Sequence, residues 1–204
     1  MISGNTLLLG DSITVGYFPY LKVNGFKRCV AQVGKTSAWL LSQLSLSSFD
    51  NVQNVVLLIG TNDVGYVPTA TTFQNIQKIL ALVPPGVRVA LMTLPPFRGW
   101  QNFVSNFPAI EARRVAINLL LRTLPSVLLV PLDVLLADPA DPTSLIPSAD
   151  SGDHLHPRPS AVIGALESVV QGGPTPAPTS GRLWPWLFAA GAIGGIAWWK
   201  GRKS

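Results

Sequence analysis

Short, uninterrupted apolar runs alternate along the chain with stretches in which apolar residues recur every three or four positions. The runs are 6–10 (TLLLG), 29–33 (CVAQV), 54–59 (NVVLLI), 87–93 (VRVALMT) and 127–132 (VLLVPL). Continuous Val/Leu/Ile runs of this length predict strands buried on both faces, whereas a half-solvated strand would alternate apolar and polar residues. Between them, helical spacing covers roughly 13–21, 37–46, 70–83, 109–123 and 159–170. Phe73, Ile76, Ile79, Leu80 and Val83 share one stripe, and Ile110, Val115, Ile117, Leu121 and Leu124 another. Strand–helix alternation of this kind predicts an α/β fold, a parallel five-stranded sheet with helices on both faces. Ligands of such folds sit at the carboxyl ends of the strands.

The pattern changes at residue 172. The ten residues 172–181 (GGPTPAPTSG) hold three prolines and three glycines and no large apolar side chain, the composition of an extended linker. They separate an expected catalytic domain, 1–171, from 182–204. Leu183 to Trp199 are 17 uncharged residues, about 25 Å as a helix, at the short end for a bilayer span. Trp184 and Trp186 bracket one end and Trp198 and Trp199 the other, with Lys200, Arg202 and Lys203 following. Aromatic belts with a basic flank predict a single C-terminal transmembrane helix in contact with membrane lipid through 183–199. Gly191 and Gly195 form a GxxxG, a spacing that lets two such helices pair in a homodimer. The basic flank argues for a tail in the cytoplasm and a catalytic domain outside, whereas MISGNTLLLG lacks the features of a secretory signal peptide. The two rules disagree on the side of the membrane. Without an export route, the expectation is a cytoplasm-facing catalytic domain.

Charge changes the picture less than its total suggests. Arg182, Lys200, Arg202 and Lys203 account for four of the 15 basic residues, leaving eleven against ten acids in 1–181, so no basic groove for nucleic acid is expected. The single Cys29 rules out an internal disulfide and, lying in a predicted strand, reads as a buried, inert thiol.

The first strand runs straight into Gly10-Asp11-Ser12. Ser12 is either a nucleophile at a strand end or a helix cap, a role that Asp and Ser both suit. The G-x-S-x-G elbow is absent, and Gly34-Lys35-Thr36 lacks the upstream glycine of a phosphate loop. A nucleophilic serine needs a base, and the only two histidines, His154 and His156, stand in DHLHP. Asp153 and His156, three apart, can share one side of a turn. Asn62, after the strand ending LLIG, points out at the same sheet edge as Ser12, and the Gly34 N–H is unshielded by a side chain; both are candidate oxyanion donors. Asp63 reads as a turn residue or a supporting hydrogen-bond partner. Asp153, His154 and His156 together contain zinc-donor types but fall short of a full set, and no metal or cofactor is expected. Phe97, Arg98 and Trp100 either line the substrate pocket or pack as a rigid turn. Lys35 and Arg158 read as solvated charges beside the site, the alternative being an attraction for anionic substrates.

In order, LLLGDSIT, the glycine of VGKTS, LIGTND and DHLHP resemble the four sequence blocks of the SGNH (GDSL) hydrolase family, over about residues 5–170. The resemblance implies a flavodoxin-like α/β/α sandwich and metal-free hydrolysis of acyl esters or thioesters through an acyl-enzyme. It implies Ser12 as nucleophile, His156 as base and Asp153 as acid, with the Ser12 N–H, Gly34 N–H and Asn62 amide as the oxyanion hole. His154 is a departure inside the last block. The expected activity is a membrane-tethered esterase acting on O-acyl groups of envelope carbohydrate or on lipid acyl esters. The alternative is a membrane or virion structural protein that keeps the fold as a binding module.

Overall fold

The computed structural model describes residues 2–98 and 106–172. The expected linker beyond Gly172, the helix at 182–204 with Gly191 and Gly195, and Trp100 lie outside the described residues. Among the described residues no helix is long and apolar enough to cross a membrane.

The elements in chain order are β1 (Ile2–Ser3), β2 (Thr6–Gly10), α1 (Ser12–Tyr17), β3 (Val23–Asn24), β4 (Lys27–Ala31), α2 (Ser37–Gln43), β5 (Asn54–Leu58), α3 (Thr69–Ala81), β6 (Arg88–Met92), α4 (Phe107–Leu121), β7 (Leu128–Val130), α5 (Leu132–Leu135) and α6 (Pro159–Val170). The main sheet has the order β4-β2-β5-β6-β7, parallel throughout, the flavodoxin-like arrangement. β1 and β3 form a separate two-stranded parallel pair that the apolar pattern does not announce.

The period of two along each strand divides a continuous apolar run between two cores. Leu7, Leu9, Val55, Leu57 and Leu91 point to one face and pack with Leu40 of α2, Ile76 and Ile79 of α3, and Ile110 and Ile117 of α4. Leu8, Val56, Leu58, Met92 and Val130 point to the other and pack with Ile13 and Tyr17 of α1 and Val162, Leu166 and Val169 of α6. Complete burial of β2 and β5 at every position is the signature of central parallel strands.

Most boundaries shift by one to three residues from the sequence reading, and the largest differences lie in α1 and β4. α1 ends at Tyr17, because Pro19 cannot continue the helix. β4 starts at Lys27 and stops at Ala31. As an edge strand it tolerates charge, and Lys27 Nζ is satisfied by the carbonyls of Phe18, Pro19 and Leu21. Cys29 is half-buried rather than buried, and that partial burial raises its thiol pKa.

Candidate active site

β2 lies between β4 and β5, and Gly10 pairs with Ala31 on one side and Leu58 on the other. The loops leaving these three strands therefore emerge side by side at the point where the chain order reverses. They carry Asp11-Ser12, Gly34 and Asn62.

Gly10 makes the first turn possible. A Cβ there would stand 2.1 Å from Thr14 Oγ1 and 2.3 Å from the Leu58 carbonyl oxygen, so α1 packs directly on the end of β5. Asp11, in extended backbone geometry, is the cap of α1: its Oδ1 accepts the Ile13 N–H at 3.1 Å. That resolves the ambiguity over Ser12. The helix is capped by its neighbour, and the Ser12 hydroxyl is free for another partner.

That partner comes from 144 residues away. His156 Nε2 lies 2.8 Å from Ser12 Oγ, and His156 Nδ1 lies 2.5 Å from Asp153 Oδ2. Asp153 also accepts the N–H groups of Leu155 and His156 through Oδ1, which folds the loop so that one carboxylate holds both backbone and ring. Partial burial acts to raise the Asp153 carboxyl. The hydrogen bonds from the His156 ring, the His156 N–H and the Leu155 N–H outweigh it and hold the group below the usual carboxylate range.

His154 takes no part in this chain. Its Nδ1 lies 2.5 Å from Asp150 Oδ2 and its N–H donates to Asp150 Oδ1 at 3.1 Å, with φ at +60°. The two histidines are thus bound to different carboxylates. Among the described residues there is no group of three or more His, Cys, Asp or Glu arranged to hold a metal.

Asn62 is half-buried, and one of its two amide hydrogens is used by the Lys35 carbonyl at 3.0 Å. This contact ties the loop after β5 to the loop after β4 and leaves the second N–H to donate elsewhere. Gly34 is exposed at φ +74° with open space around its Cβ position, so backbone conformation rather than crowding calls for glycine.

Behind the site, Asp63 is fully buried and supporting. It accepts the Ser37 N–H at 2.9 Å, the Ser37 hydroxyl at 2.5 Å and the Thr72 hydroxyl at 3.2 Å, joining α2, α3 and its own loop. Asn75 adds a hydrogen bond to Ser37 Oγ. Ser37, Thr72 and Asn75 escape sequence reading because a polar residue on a helical stripe looks solvated until its partner is known.

Phe97 is fully buried in the core, a correction to its candidate place in the substrate pocket. Arg98 is paired with Asp141. Lys35 and Arg158 are engaged rather than simply solvated: Lys35 Nζ lies over the Trp39 ring at 5.9 Å, and Arg158 Nε donates to the Asp150 carbonyl.

A family model described as GDSL-like lipase/acylhydrolase matches residues 8–161. Among solved structures, the fold is similar to a lipase/acylhydrolase from Enterococcus faecalis (18% identity, 87% of this chain and 100% of that one, TM-score 0.59). It is also similar to a GDSL-like lipase from Bacteroides thetaiotaomicron (21%, 82% and 86%, TM-score 0.58). A third likeness is to a psychrotrophic esterase from Pseudoalteromonas sp. that was inhibited by monoethylphosphonate (16%, 82% and 97%, TM-score 0.55). At these identities the likeness is one of fold. No curated protein matches the chain.

Proposed function

This chain belongs to the GDSL-like lipase/acylhydrolase family and is an SGNH-type ester hydrolase, and on that premise we propose that Ser12, His156 and Asp153 cleave acyl esters held near a membrane surface. The observation that carries the reading is the unbroken hydrogen-bond chain from Ser12 Oγ through the His156 ring to Asp153.

Ser12 Oγ attacks the acyl carbonyl while His156 Nε2 takes its proton, and Asp153 holds Nδ1 protonated so that Nε2 is the basic nitrogen. The Ser12 N–H, the Gly34 N–H and the second Asn62 N–H donate to the oxygen on which negative charge develops. Collapse of the tetrahedral adduct passes the His156 proton to the leaving alcohol and leaves an acyl ester on Ser12. Water, deprotonated by His156, then releases the acid.

Two substrate classes fit, O-acyl groups on envelope carbohydrate and acyl chains of lipids. The apolar segment 183–199 with its flanking tryptophans and basic tail supports a single-pass anchor that keeps the enzyme beside either one. We place the catalytic domain on the cytoplasmic side; complete protease shaving of that domain from intact cells would overturn this placement. Pairing through Gly191 and Gly195 is part of the same reading, and crosslinking in detergent tests it.

The test of the activity is hydrolysis of p-nitrophenyl esters, from acetate to long acyl chains, by the full chain in mild detergent. Turnover that falls at least about 10⁴-fold in Ser12→Ala supports the assignment, and the chain-length profile separates the two substrate classes. No turnover by the folded wild type would leave the binding-module alternative.

A further inference from the structure

Among the described residues three buried side-chain oxygens have no hydrogen-bond partner: Tyr17 Oη in α1 and, beneath the site, Asp11 Oδ2 and Thr61 Oγ1. Asp11 and Thr61 are shut off from solvent, at 0% and 3% exposed. The two residues stand on loops that leave adjacent strands, and the Thr61 hydroxyl is among the groups that favour the ionised form of Asp11. Their places in the chain are what matter: Asp11 immediately precedes Ser12, and Thr61 immediately precedes Asn62. The two leave neighbouring strands whose ends, Gly10 and Leu58, are paired. Asp11 is already fastened to α1 through Oδ1 and the Ile13 N–H, so its second oxygen is the one available to the other loop.

We propose that Asp11 and Thr61 form a buried latch between these loops, and that Asp11 is thereby a positioning residue holding the Ser12 N–H and the Asn62 amide at one spacing. The inference rests on the ester-hydrolase reading of the site. Hydrogen-bond donors to an oxyanion act within 2.7–3.1 Å of the place where charge develops. A latch that sets their separation therefore acts on the transition state more than on the bound ester.

The chemistry of the pair suits a permanent contact. Burial pushes the Asp11 carboxyl up to about 7, against the Ile13 N–H, the Thr61 hydroxyl and His156, which lower it, and with Asp63, which raises it further. Near neutrality Asp11 exists in both forms. Protonated, it donates to Thr61 Oγ1; ionised, it accepts from the Thr61 O–H. A hydroxyl does both, so the latch stays closed through the titration. The other ionisable group facing Asp11 is Tyr17 of α1, a buried phenol whose pKa burial raises further.

The experiment is a double-mutant cycle on the full chain in mild detergent, reading kcat, KM and thermal midpoint with p-nitrophenyl butyrate. Thr61→Val keeps the shape and removes the hydroxyl. It is expected to lower kcat about tenfold, to leave KM within about twofold and to be rescued by Thr61→Ser. In an Asp11→Ala background the same Thr61→Val change is expected to alter kcat less than about twofold, since the latch is already gone. An unchanged kcat in Thr61→Val, an equal rise in KM, or the same loss in both backgrounds overturns the latch. Additive shifts of the thermal midpoint overturn it whether or not an ester is cleaved. A folded wild type inactive on every ester overturns the ester-hydrolase reading instead, which keeps the two failures apart.

Discussion

Replacing Asp11 by Asn removes a single buried titration and is expected to change how stability depends on pH. The Asp11 side chain is completely buried, and its pKa rises from an ordinary 3.8 to about 7 because burial disfavours the charged form. A carboxyl raised on folding binds more protons in the native than in the unfolded chain between those values, so stability falls as pH rises through the window. At 1.36 kcal/mol per unit, Asp11 alone withdraws about 4 kcal/mol between pH 4 and pH 8. Asn keeps an Oδ1 acceptor for the Ile13 N–H and carries no charge at any pH, so the variant escapes this loss. Other carboxyls titrate in both proteins and cancel in the difference. Asp141, Asp150 and Asp153 are lowered on folding, and their stabilisation is lost only as pH falls below the ordinary range. Urea denaturation of both proteins from pH 4.5 to 8, followed by far-UV circular dichroism, reads that difference directly. Asp11→Asn should gain on the wild type as pH rises toward 7 and level off above it, by about 3 kcal/mol in all between pH 4.5 and 8. A difference that stays flat across the window would refute the buried, proton-binding Asp11 on which the argument stands.

Gly10→Ala should destabilise by about 3 kcal/mol or more and lower kcat, because the new methyl meets the Leu58 carbonyl and Thr14 and must push α1, with Ser12, away from β5; thermal melts and ester kinetics check both effects. Gly34→Ala meets no atom but inherits φ +74°, so a loss of only about 1–2 kcal/mol is expected in the same melts. Arg114→Met strands the buried Glu111 carboxylate and removes one of the two donors to the Leu94 carbonyl, costing roughly 3–5 kcal/mol in urea unfolding. Adding Glu111→Leu should return most of it. On the proposed mechanism, in which Asp153 fixes the His156 tautomer, Asp153→Asn should lower kcat by about 10³–10⁴ with little change in melting, since the residue is exposed.

Much of this architecture is legible locally. Five apolar runs mark the five strands because a central parallel strand is buried on both faces, and the blocks at their ends mark the loops that meet at the site. Edge positions are less legible. β4 begins with Lys27 and Arg28, whose charges are tolerated only because the strand has one neighbour, and neighbour number is not a local property. Phe97 follows a strand and resembles a rim aromatic, yet it is fully buried in the core that α2, α3 and α4 share.

The amino-acid order alone determined the strands, the helices and the residue types that could carry acyl transfer, because hydrophobic period and short-range spacing are written within a few residues. Which histidine serves Ser12 was decided by tertiary structure. DHLHP places two imidazoles beside carboxylates, and only the packing of α6 against β7 and α1, with the loop before it, puts His156, rather than His154, against a serine 144 residues away. The same holds for Asp11 and Thr61, ordinary turn residues until the folding of two adjacent strands buries them. Burial and long-range pairing are properties of the folded chain, and they are what turn a cap into a buried carboxyl with a raised pKa.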